Sequence, residues 1–256
     1  MTTVDQSWRS PPPELALPHQ SVHIWRASLE QPPELVHQLA QLLSRDEQER
    51  AERFRFERDR RRFMVARAAL RTLAGRYLGL EPSRVQFRYG SYGKPYFAND
   101  PDHDLLRFNL AHSNELAVYA FACGREVGVD IEHIQPVPDA EQITQRFFSN
   151  SENASFRMLP DSQKLEAFFN CWTRKEAYIK ALGDGLSHPL DQFQVSLKPD
   201  EPARLLKVEG FPEETARWHM ASFVPASGYV AALVAEGSDF HLEYWQSGWA
   251  DGTALV

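Results

Sequence analysis

Apolar and polar side chains alternate along several short segments of this chain, which is the pattern of half-buried strands. Residues 22–26 and 127–132 show this alternation most clearly. Six further strands are predicted from β-branched and aromatic runs between turn residues, at residues 85–89, 108–113, 116–123, 193–197, 218–223 and 229–234. The polar turn Ser113-Asn114-Glu115 is expected to join two of them.

Apolar residues recur with helical spacing between these strands. Helices are predicted at residues 32–43, from 44 to about 75 or 79, at 140–147 and at 161–182. Ser44 is the predicted N-cap of the second helix, with Glu47 at the capping-box position. That helix is expected to run without a break to one of two glycines, and the last helix is expected to end at Gly183.

The two halves of the chain repeat each other faintly. Arg67 precedes Gly75 at the same spacing at which Lys175 precedes Gly183, and a pair of predicted strands follows each helix. These matches hint at an internal duplication. With 256 residues, 43% of them hydrophobic, the chain can bury the core of one large domain or of two smaller ones. The predicted organisation is a flexible lead-in at 1–18, an N-terminal subdomain at 19–124 and a C-terminal subdomain at 125–256.

Charge is distributed unevenly along the chain. The formal net charge of −7 argues against wholesale nucleic-acid binding. Residues 45–76 are the exception, because eleven arginines and six acids leave that segment net positive by five. Such a segment is usually a solvated charged face, although it could contact a phosphate or an acidic partner.

Composition also bears on the compartment. Cys123 and Cys171 both lie in apolar patterns, so a disulfide framework and a zinc site are not expected. No apolar run approaches the ~20 residues that span a bilayer. The polar, proline-rich start at residues 1–18 has no secretory signal pattern, so a cytoplasmic location is expected.

Two acids lie on one predicted strand. Asp130 and Glu132 are two positions apart, so their side chains share a face. Carboxylates this close repel each other unless a cation lies between them, and Mg²⁺ in proteins is held by one or two carboxylates together with substrate phosphates. The pair indicates either a magnesium site or the solvated face of an edge strand.

A third acid lies on the predicted helix 161–182. Glu176 and Lys180 are four residues apart and therefore neighbours on one face. An isolated pair of this kind is usually a surface ion pair worth at most ~0.5 kcal/mol. Trp172 on the same stripe favours a half-buried groove instead. A third acid with cations in a groove suits phosphoryl or pyrophosphate chemistry.

Two further residues could contact a phosphate. His112 lies where a predicted strand meets a turn, and Lys94 lies in the turn Gly93-Lys94-Pro95. His112 and Ser113 are not a hydrolase dyad, because adjacent strand residues point to opposite faces and no Gly-x-Ser-x-Gly elbow is present. The lysine turn is not a Walker loop. Taken by itself, the position of His112 favours a structural histidine over a phosphate contact.

Five segments, in this order, resemble the Sfp-type 4′-phosphopantetheinyl transferases. They are Gly90-x-x-Gly93-Lys94-Pro95, Phe108-Asn109-Leu110-Ala111-His112-Ser113, Gly128-Val129-Asp130-Ile131-Glu132, Phe147-Phe148-Ser149 followed by Glu152, and Trp172-Thr173-Arg174-Lys175-Glu176-Ala177-Tyr178-Ile179-Lys180. The resemblance covers about residues 50–190. The third and fifth segments, taken together, are the specific part of it.

The resemblance implies an α/β (α+β) fold of two similar subdomains related by a pseudo-twofold axis, with the active site in the cleft between them. It implies an enzyme that transfers the 4′-phosphopantetheine arm of coenzyme A to a serine of an acyl or peptidyl carrier protein and releases adenosine 3′,5′-bisphosphate. A monomer is expected, since a duplicated chain already supplies both halves of the site. Fatty-acid, polyketide, nonribosomal-peptide and glycolipid pathways all stay open.

The resemblance also implies residue roles. Magnesium is held by Asp130, Glu132 and Glu176. Glu176 also acts as, or positions, the general base for the carrier serine, Lys180 stabilises or protonates the leaving phosphate, and His112 contacts the phosphates. The other residues expected to bind coenzyme A are Arg50, Arg53, Arg62, Lys94, Ser113 and Lys175, with Lys180 and His112.

Two other functions stay compatible with the residues alone. A magnesium-dependent phosphohydrolase or nuclease could use the same carboxylates on water, although such enzymes typically need more acids, and the net charge argues against a nucleic-acid grip. A non-catalytic protein could bind an acidic partner through the arginine-rich segment. Such a protein has no need for three converging carboxylates, so Glu176→Gln would leave its binding intact.

Overall fold

The computed structural model describes residues 7–98, 105–183 and 188–248. Within these ranges the chain forms a mixed α/β fold. The helices are α1 Pro33–Ala40, α2 Arg45–Ala51, α3 Glu57–Leu78, α4 Ala140–Phe147, α5 Asn150–Arg157, α6 Asp161–Leu182 and α7 Glu214–Arg217. The strands are β1 Ser21–Ser28, β2 Phe87–Tyr89, β3 Pro95–Phe97, β4 Leu106–Ser113, β5 Leu116–Cys123, β6 Val127–His133, β7 Phe193–Val195, β8 Leu205–Val208, β9 Trp218–Phe223, β10 Tyr229–Glu236 and β11 His241–Gln246.

Apart from α7 and β11, which occur only in the second half, the two halves contain the same elements in the same order, so the predicted pseudo-twofold duplication is confirmed. Each half has a 22-residue helix, α3 or α6, that ends at a left-handed glycine, Gly79 or Gly183. A two-stranded sheet follows each helix, β2–β3 or β7–β8. Three antiparallel strands complete each half, in the orders β4–β5–β1 and β9–β10–β6.

An equivalent buried ion pair supports each long helix. Glu47 of α2 and Glu152 of α5 each complete a capping box at the start of a short helix. The Glu47 carboxylate accepts a 2.5 Å hydrogen bond from Arg71 of α3, and Glu152 lies 2.9 Å from the ammonium of Lys175 of α6. Both cations lie eight residues before the glycine that ends their helix. The duplication therefore extends to buried polar contacts.

The two three-stranded units share one apolar cluster. Val22, Ile24 and Ala120 of the first half pack with Val129 and Leu233 of the second. Strand β11 then returns to the first half and pairs in parallel with β1. The last strand thus ties the C-terminal part of the chain to the N-terminal sheet.

Strand β4 lies beside β6, joined by side chains. The Asn109 side-chain oxygen accepts a 3.0 Å hydrogen bond from the Val129 backbone N–H, and the Ser113 hydroxyl accepts one of 3.1 Å from His133. Both contacts advance by four residues in the same direction, so β4 and β6 run parallel. The junction between the halves is therefore a row of specific hydrogen bonds, and the candidate site lies along it.

The predicted continuous helix after Ser44 is wrong, because α2 ends at Ala51 and α3 begins at Glu57. Glu47 contacts both Arg67 and Arg71 on α3. In one straight helix, residues 20 and 24 positions apart would lie about 30 and 36 Å apart. The chain has to fold back for these ion pairs to form.

Five elements were not predicted, namely β3, α5, β8, α7 and β11. Of the expected lead-in at 1–18, residues 1–6 lie outside the described ranges. Beyond them, the Trp8 ring packs edge-on against Tyr244, 5.3 Å between centroids, and the Arg9 backbone N–H donates to the Tyr244 carbonyl at 3.1 Å. This part of the lead-in contacts β11. No helix among the described residues is long and apolar enough to cross a membrane.

Candidate active site

A cavity of about 460 Å³ opens between β4 and β6 and is walled by α6. It brings together residues from three separate stretches of the chain. The lining residues are Leu110, Ala111, His112, Asp130, Ile131, Glu132, Trp172, Glu176 and Lys180. The three acids, the lysine and the histidine singled out from the sequence thus share one cleft.

Glycine at position 128 allows α6 to approach β6 closely. A Cβ there would lie 2.1 Å from the Ala177 carbonyl oxygen and 2.3 Å from the Ala181 nitrogen. These are backbone atoms, so no side-chain movement could make room. Because Asp130 follows on the same face of β6, this contact brings its carboxylate to α6.

The helix α6 presents one stripe of side chains to the cleft. Trp172, Glu176 and Lys180 are spaced by four residues and line the cavity together. The Lys180 ammonium donates a 2.6 Å hydrogen bond to Oδ1 of Asp130. The predicted helical stripe and the predicted strand face therefore meet directly.

Burial raises the pKa of all three carboxylates, and the negative charge of Asp130 raises those of Glu132 and Glu176 further. Burial raises the pKa of Asp130, and the Lys180 charge and hydrogen bond act in the opposite direction. Burial also raises the pKa of Glu176, and the neighbouring charge of Asp130 raises it further. The pKa of Glu132 is raised by burial and held down by a 2.8 Å hydrogen bond from the Ser113 hydroxyl. The cleft is a place where negative charge is costly without a cation.

Histidine 112 lies at the mouth of the cleft, where solvent reaches it. The surrounding protein desolvates the ring and lowers its pKa, and the positive charges of Lys180 and Arg62 lower it further. A neutral imidazole at neutral pH follows from these effects. It can donate one N–H to an anion in the cleft.

The donor set fits a hard divalent cation. Oδ2 of Asp130 is buried without a hydrogen-bond partner among the described residues. Glu176 likewise has no hydrogen bond from any described residue, while its carboxylate is raised in pKa by two neighbouring acids. Within residues 7–98, 105–183 and 188–248, no group of three or more acids, histidines or cysteines is arranged to hold a metal ion by itself. Mg²⁺ does not require such a group, because it keeps waters and substrate oxygens as ligands.

The arginines expected to bind coenzyme A lie at different distances from the cleft. Arg62 is close enough to act on His112 and is held by Glu30 at 2.7 Å and by the Asn114 side chain at 3.1 Å. Arg50 lies over the Phe63 ring and borders a separate cavity of about 300 Å³. Arg53 is exposed in the connection between α2 and α3. Only Arg62 is placed beside the cleft.

Lysine 175 points away from the cleft, contrary to its expected role at the nucleotide. Its side chain is 0% exposed, and its ammonium donates to the carbonyls of Leu190 and Phe193, both at 2.7 Å. With the Glu152 ion pair these contacts use all three ammonium protons. Because α6 turns 100° per residue, Lys175 cannot share the stripe of Trp172, Glu176 and Lys180.

Lysine 94 is likewise turned into the interior. Its ammonium donates to Glu126 at 2.7 Å, to the Ala181 carbonyl at 2.9 Å and to the Val127 carbonyl at 3.3 Å. It does not line the cleft. Its ammonium therefore has no proton left to donate to a nucleotide, as the expected role would require.

Sequence reasoning missed the polar residues that support the cleft from behind. Glu126 joins Lys94 to Arg107, which lies 2.7 Å from its second oxygen. Asn109 bridges β4 to β6, and Glu152 neutralises Lys175. For Glu152 a signal was available, because Ser149-x-x-Glu152 is a capping-box sequence. The others follow only from the packing of the two halves.

A larger cavity, of about 1000 Å³, lies on the other flank of α6. It is bordered by Glu166, Asn170 and Arg174 of that helix, a stripe turned about 200° from the residues that face the cleft. The Arg174 guanidinium bonds there to Ser196 and Ser222. Three acids, Glu166, Asp200 and Glu201, line it together with two arginines, but among the described residues no three acids are arranged to hold a metal ion.

The chain was compared with known proteins. Residues 126–234 match the model of the 4′-phosphopantetheinyl transferase superfamily, and residues 23–124 match that of the 4′-phosphopantetheinyl transferase N-terminal region. The 4′-phosphopantetheinyl transferase HetI of Nostoc sp. is 40% identical over 242 residues, which cover 94% of this chain and 99% of HetI. Sfp of Bacillus subtilis, also named a 4′-phosphopantetheinyl transferase, is 29% identical over 77% of this chain and 84% of Sfp. An apo-ACPS structure from Chronobacterium ammoiniagenes aligns with a TM-score of 0.32 at 20% identity, over 44% of this chain and 98% of that one.

Proposed function

The chain belongs to the 4′-phosphopantetheinyl transferase superfamily, and on that premise we propose that it moves the phosphopantetheine arm of coenzyme A to a carrier-protein serine with the help of magnesium. Adenosine 3′,5′-bisphosphate is the other product. The observation that carries the proposal is the meeting of Asp130, Glu132 and Glu176 with Lys180 and His112 in one cleft. The family membership favours the transferase over the hydrolase and over the non-catalytic partner-binding protein.

The residues divide the work of binding the pyrophosphate. Asp130, Glu132 and Glu176 would hold the magnesium ion together with substrate oxygens, and Asp130 Oδ2 and the Glu176 carboxylate are the oxygens left open for it. When bound, the ion would supply positive charge that stabilises the negative charge developing on the pyrophosphate. His112 donates to a phosphate oxygen, and Arg62 beside it supplies positive charge.

The transfer exchanges one phosphorus–oxygen bond for another. The carrier serine oxygen attacks the phosphorus next to the pantetheine arm, and the bond from that phosphorus to the bridging oxygen breaks. Glu176, whose pKa is raised by burial and by the charge of Asp130, takes the serine proton. Lys180 donates one of its three protons to Asp130, so the other two remain available to stabilise the charge of the departing phosphate.

The nucleophile comes from the partner, which agrees with the absence of a serine, threonine or cysteine among the residues that line the cleft. Both walls of the cleft come from this one chain, β4 from the first half and β6 with α6 from the second. We therefore expect a monomer to be active. The pathway of the carrier protein stays open between fatty-acid, polyketide, nonribosomal-peptide and glycolipid synthesis.

Intact mass spectrometry of an apo carrier protein tests the proposal. The carrier is incubated with this protein, coenzyme A and Mg²⁺, and a gain of one phosphopantetheine arm is expected. EDTA and Glu176→Ala are each expected to abolish the gain, while Glu213→Ala, a surface acid outside the cleft, is the matched control.

Each result has a distinct meaning. Transfer that survives EDTA would contradict the magnesium role, and transfer that survives Glu176→Ala would contradict the role of that carboxylate. No transfer to fatty-acid, polyketide or peptidyl carriers, together with no binding of coenzyme A by calorimetry, would contradict the proposed substrate.

A further inference from the structure

Lysine 94 belongs to the first half of the chain but makes its polar contacts with the second. It lies in the turn between β2 and β3, and its side chain is only 6% exposed. Glu126 and Val127 stand at the start of β6, and Ala181 stands near the end of α6. One ammonium group thus contacts the strand that carries Asp130 and the helix that carries Lys180.

These contacts account for all the hydrogen-bonding capacity of the ammonium. A lysine has three donors, and the acceptors at 2.7, 2.9 and 3.3 Å are three. Ala181 supplies one of the last four carbonyls of α6, which have no partner within the helix. A cation at this end also interacts favourably with the helix dipole. Lys94 therefore caps α6 while it holds the first residue of β6.

The same junction sets the geometry of the cleft. Gly128 follows Val127, and there the backbone of β6 touches α6 at Ala177 and Ala181. Two residues further along the strand, Asp130 receives the 2.6 Å hydrogen bond from Lys180. Since catalytic groups must be held within fractions of an ångström, a change in the spacing of β6 and α6 would be felt at this carboxylate.

Glu126 extends the network to the third wall of the cleft. Its other oxygen accepts a 2.7 Å hydrogen bond from Arg107 on β4, the strand that also carries His112. The network of Lys94, Glu126 and Arg107 thus joins β4, β6 and α6. It lies behind the cleft and contributes no side chain to it.

We infer that Lys94 is a positioning residue, which fixes β6 against α6 and so holds Asp130 in place for transfer, rather than a ligand of the nucleotide. This inference rests on the proposed function for its kinetic test. The two roles predict opposite effects of one substitution. A nucleotide ligand lowers the KM for coenzyme A, whereas a positioning residue supports kcat.

The test compares Lys94→Met, Lys94→Arg and the exposed-lysine control Lys207→Met. Methionine keeps the length of the stem and removes the three hydrogen bonds. We expect kcat in carrier modification to fall at least about tenfold, with the KM for coenzyme A changed less than about threefold. Arginine should restore part of kcat, because it keeps the charge and several donors, and the control should match the wild type.

Three outcomes would overturn the inference. They are an unchanged kcat for Lys94→Met, a raised KM with unchanged kcat, and a kcat that falls only at temperatures where the variant is unfolding by circular dichroism. If Lys94→Met does not fold, Glu126→Gln is the second variant, since it weakens the same network without removing the lysine. It should then lower kcat by a smaller factor, and an unchanged kcat would overturn the inference.

A structural readout separates this inference from the proposed function. If the wild type transfers no arm, the proposed function fails, but a crystal structure of Lys94→Met still decides the inference. A shift of β6 against α6, with a longer contact between Lys180 and Asp130, supports it. An unchanged contact overturns it.

Discussion

At the scale of single residues, a carboxylate proposed to act in transfer also lowers the stability of the folded protein. The pKa of Glu176 is raised by burial and then by Asp130, so the folded protein holds its proton more tightly than the unfolded chain does. Stability therefore falls as the pH rises from the ordinary glutamate value through the raised one, and the loss is complete above it. Above the raised pKa the ionised carboxylate opposes folding.

The variant Glu176→Gln tests whether the ionised carboxylate destabilises the folded protein. At pH 7 without Mg²⁺ we expect the variant to melt about 2–4 °C above the wild type, because the charge that opposes folding is gone. The difference should vanish at a pH below the ordinary glutamate pKa, where both states of the wild type are protonated. Transfer activity should fall by about 10²–10⁴-fold. Differential scanning calorimetry over a pH series measures the first effect, and a lower melting temperature at pH 7 would contradict the argument.

Magnesium supplies the matching control for that variant. If the carboxylates hold the ion, Mg²⁺ should raise the melting temperature of the wild type and raise that of Glu176→Gln less, because binding to the folded state alone adds stability. Equal shifts in both proteins would place the ion elsewhere.

At the scale of elements, β6 and α6 pack so closely at Gly128 that there is no space for a methyl group. Gly128→Ala places a carbon 2.1 Å from the Ala177 carbonyl oxygen, so the helix and the strand must move apart. We expect a loss of at least about 1–3 kcal/mol in the free energy of unfolding, together with loss of activity. Gly248→Ala, where no atom lies within 4 Å of the added carbon, is the matched control. Urea denaturation measures both, and equal stabilities would contradict the packing argument.

The packing of α5 against α6 can be tested at Lys175, because its ion pair with Glu152 joins the two helices. Both side chains are 0% exposed. Lys175→Met leaves a buried carboxylate without its cation and should cost about 3–5 kcal/mol. The double variant Glu152→Gln with Lys175→Met should cost less than Lys175→Met alone. A raised KM for coenzyme A without loss of stability would instead support the nucleotide role expected from the sequence.

Elements with a strong local signal were predictable. The helices at 140–147 and 161–182 match α4 and α6 at both ends, and the capping box at Ser44 is present. The break before α3 was not predictable, because residues 52–56 contain neither glycine nor proline. It follows from the long-range pairing of Glu47 with Arg67 and Arg71. β8 is four residues long, which is too short for a periodic pattern.

The repeat was found in the sequence but in the wrong register. The match of Arg67 to Lys175 took Gly75 as a helix end, whereas α3 continues for one more turn to Gly79. Gly75 is a glycine for another reason, since a Cβ there would lie 2.5 Å from the Leu80 carbonyl oxygen. The residue of the first half that is structurally equivalent to Lys175 is Arg71, not Arg67. The motif residues of the cleft were predictable because strand and helix periods place them on shared faces. The burial of the Lys94 and Lys175 side chains was not predictable, because it depends on hydrogen-bond acceptors from distant parts of the chain.

At the scale of the whole molecule, the duplication has produced two similar halves with one set of acids. Asp130 and Glu132 lie on the face of β6 that meets α6, whereas the corresponding face of β1 carries Trp25 and Ala27, which pack in the apolar core against α3. The β1 edge is in addition covered by β11. One cleft is thus open and charged, and the equivalent edge of the other half is closed.

The shared core and the β1–β11 pairing predict that neither half is stably folded without the other. The segments 19–124 and 125–256 remain our proposed subdomains, but their sheets share the apolar cluster of Val22, Ile24, Val129 and Leu233, and β11 belongs to the sheet of the first half. A fragment of residues 1–124 would expose that cluster and the β1 edge to water, and the apolar area lost from burial is worth ~25 cal/mol per Å². We expect this fragment to show no cooperative thermal transition by circular dichroism, and residues 125–256 likewise, whereas the full chain unfolds in a single transition. A cooperative transition of either fragment alone would mean that each half is a domain in its own right, and that the hydrogen bonds between β4 and β6 join two finished units rather than complete one.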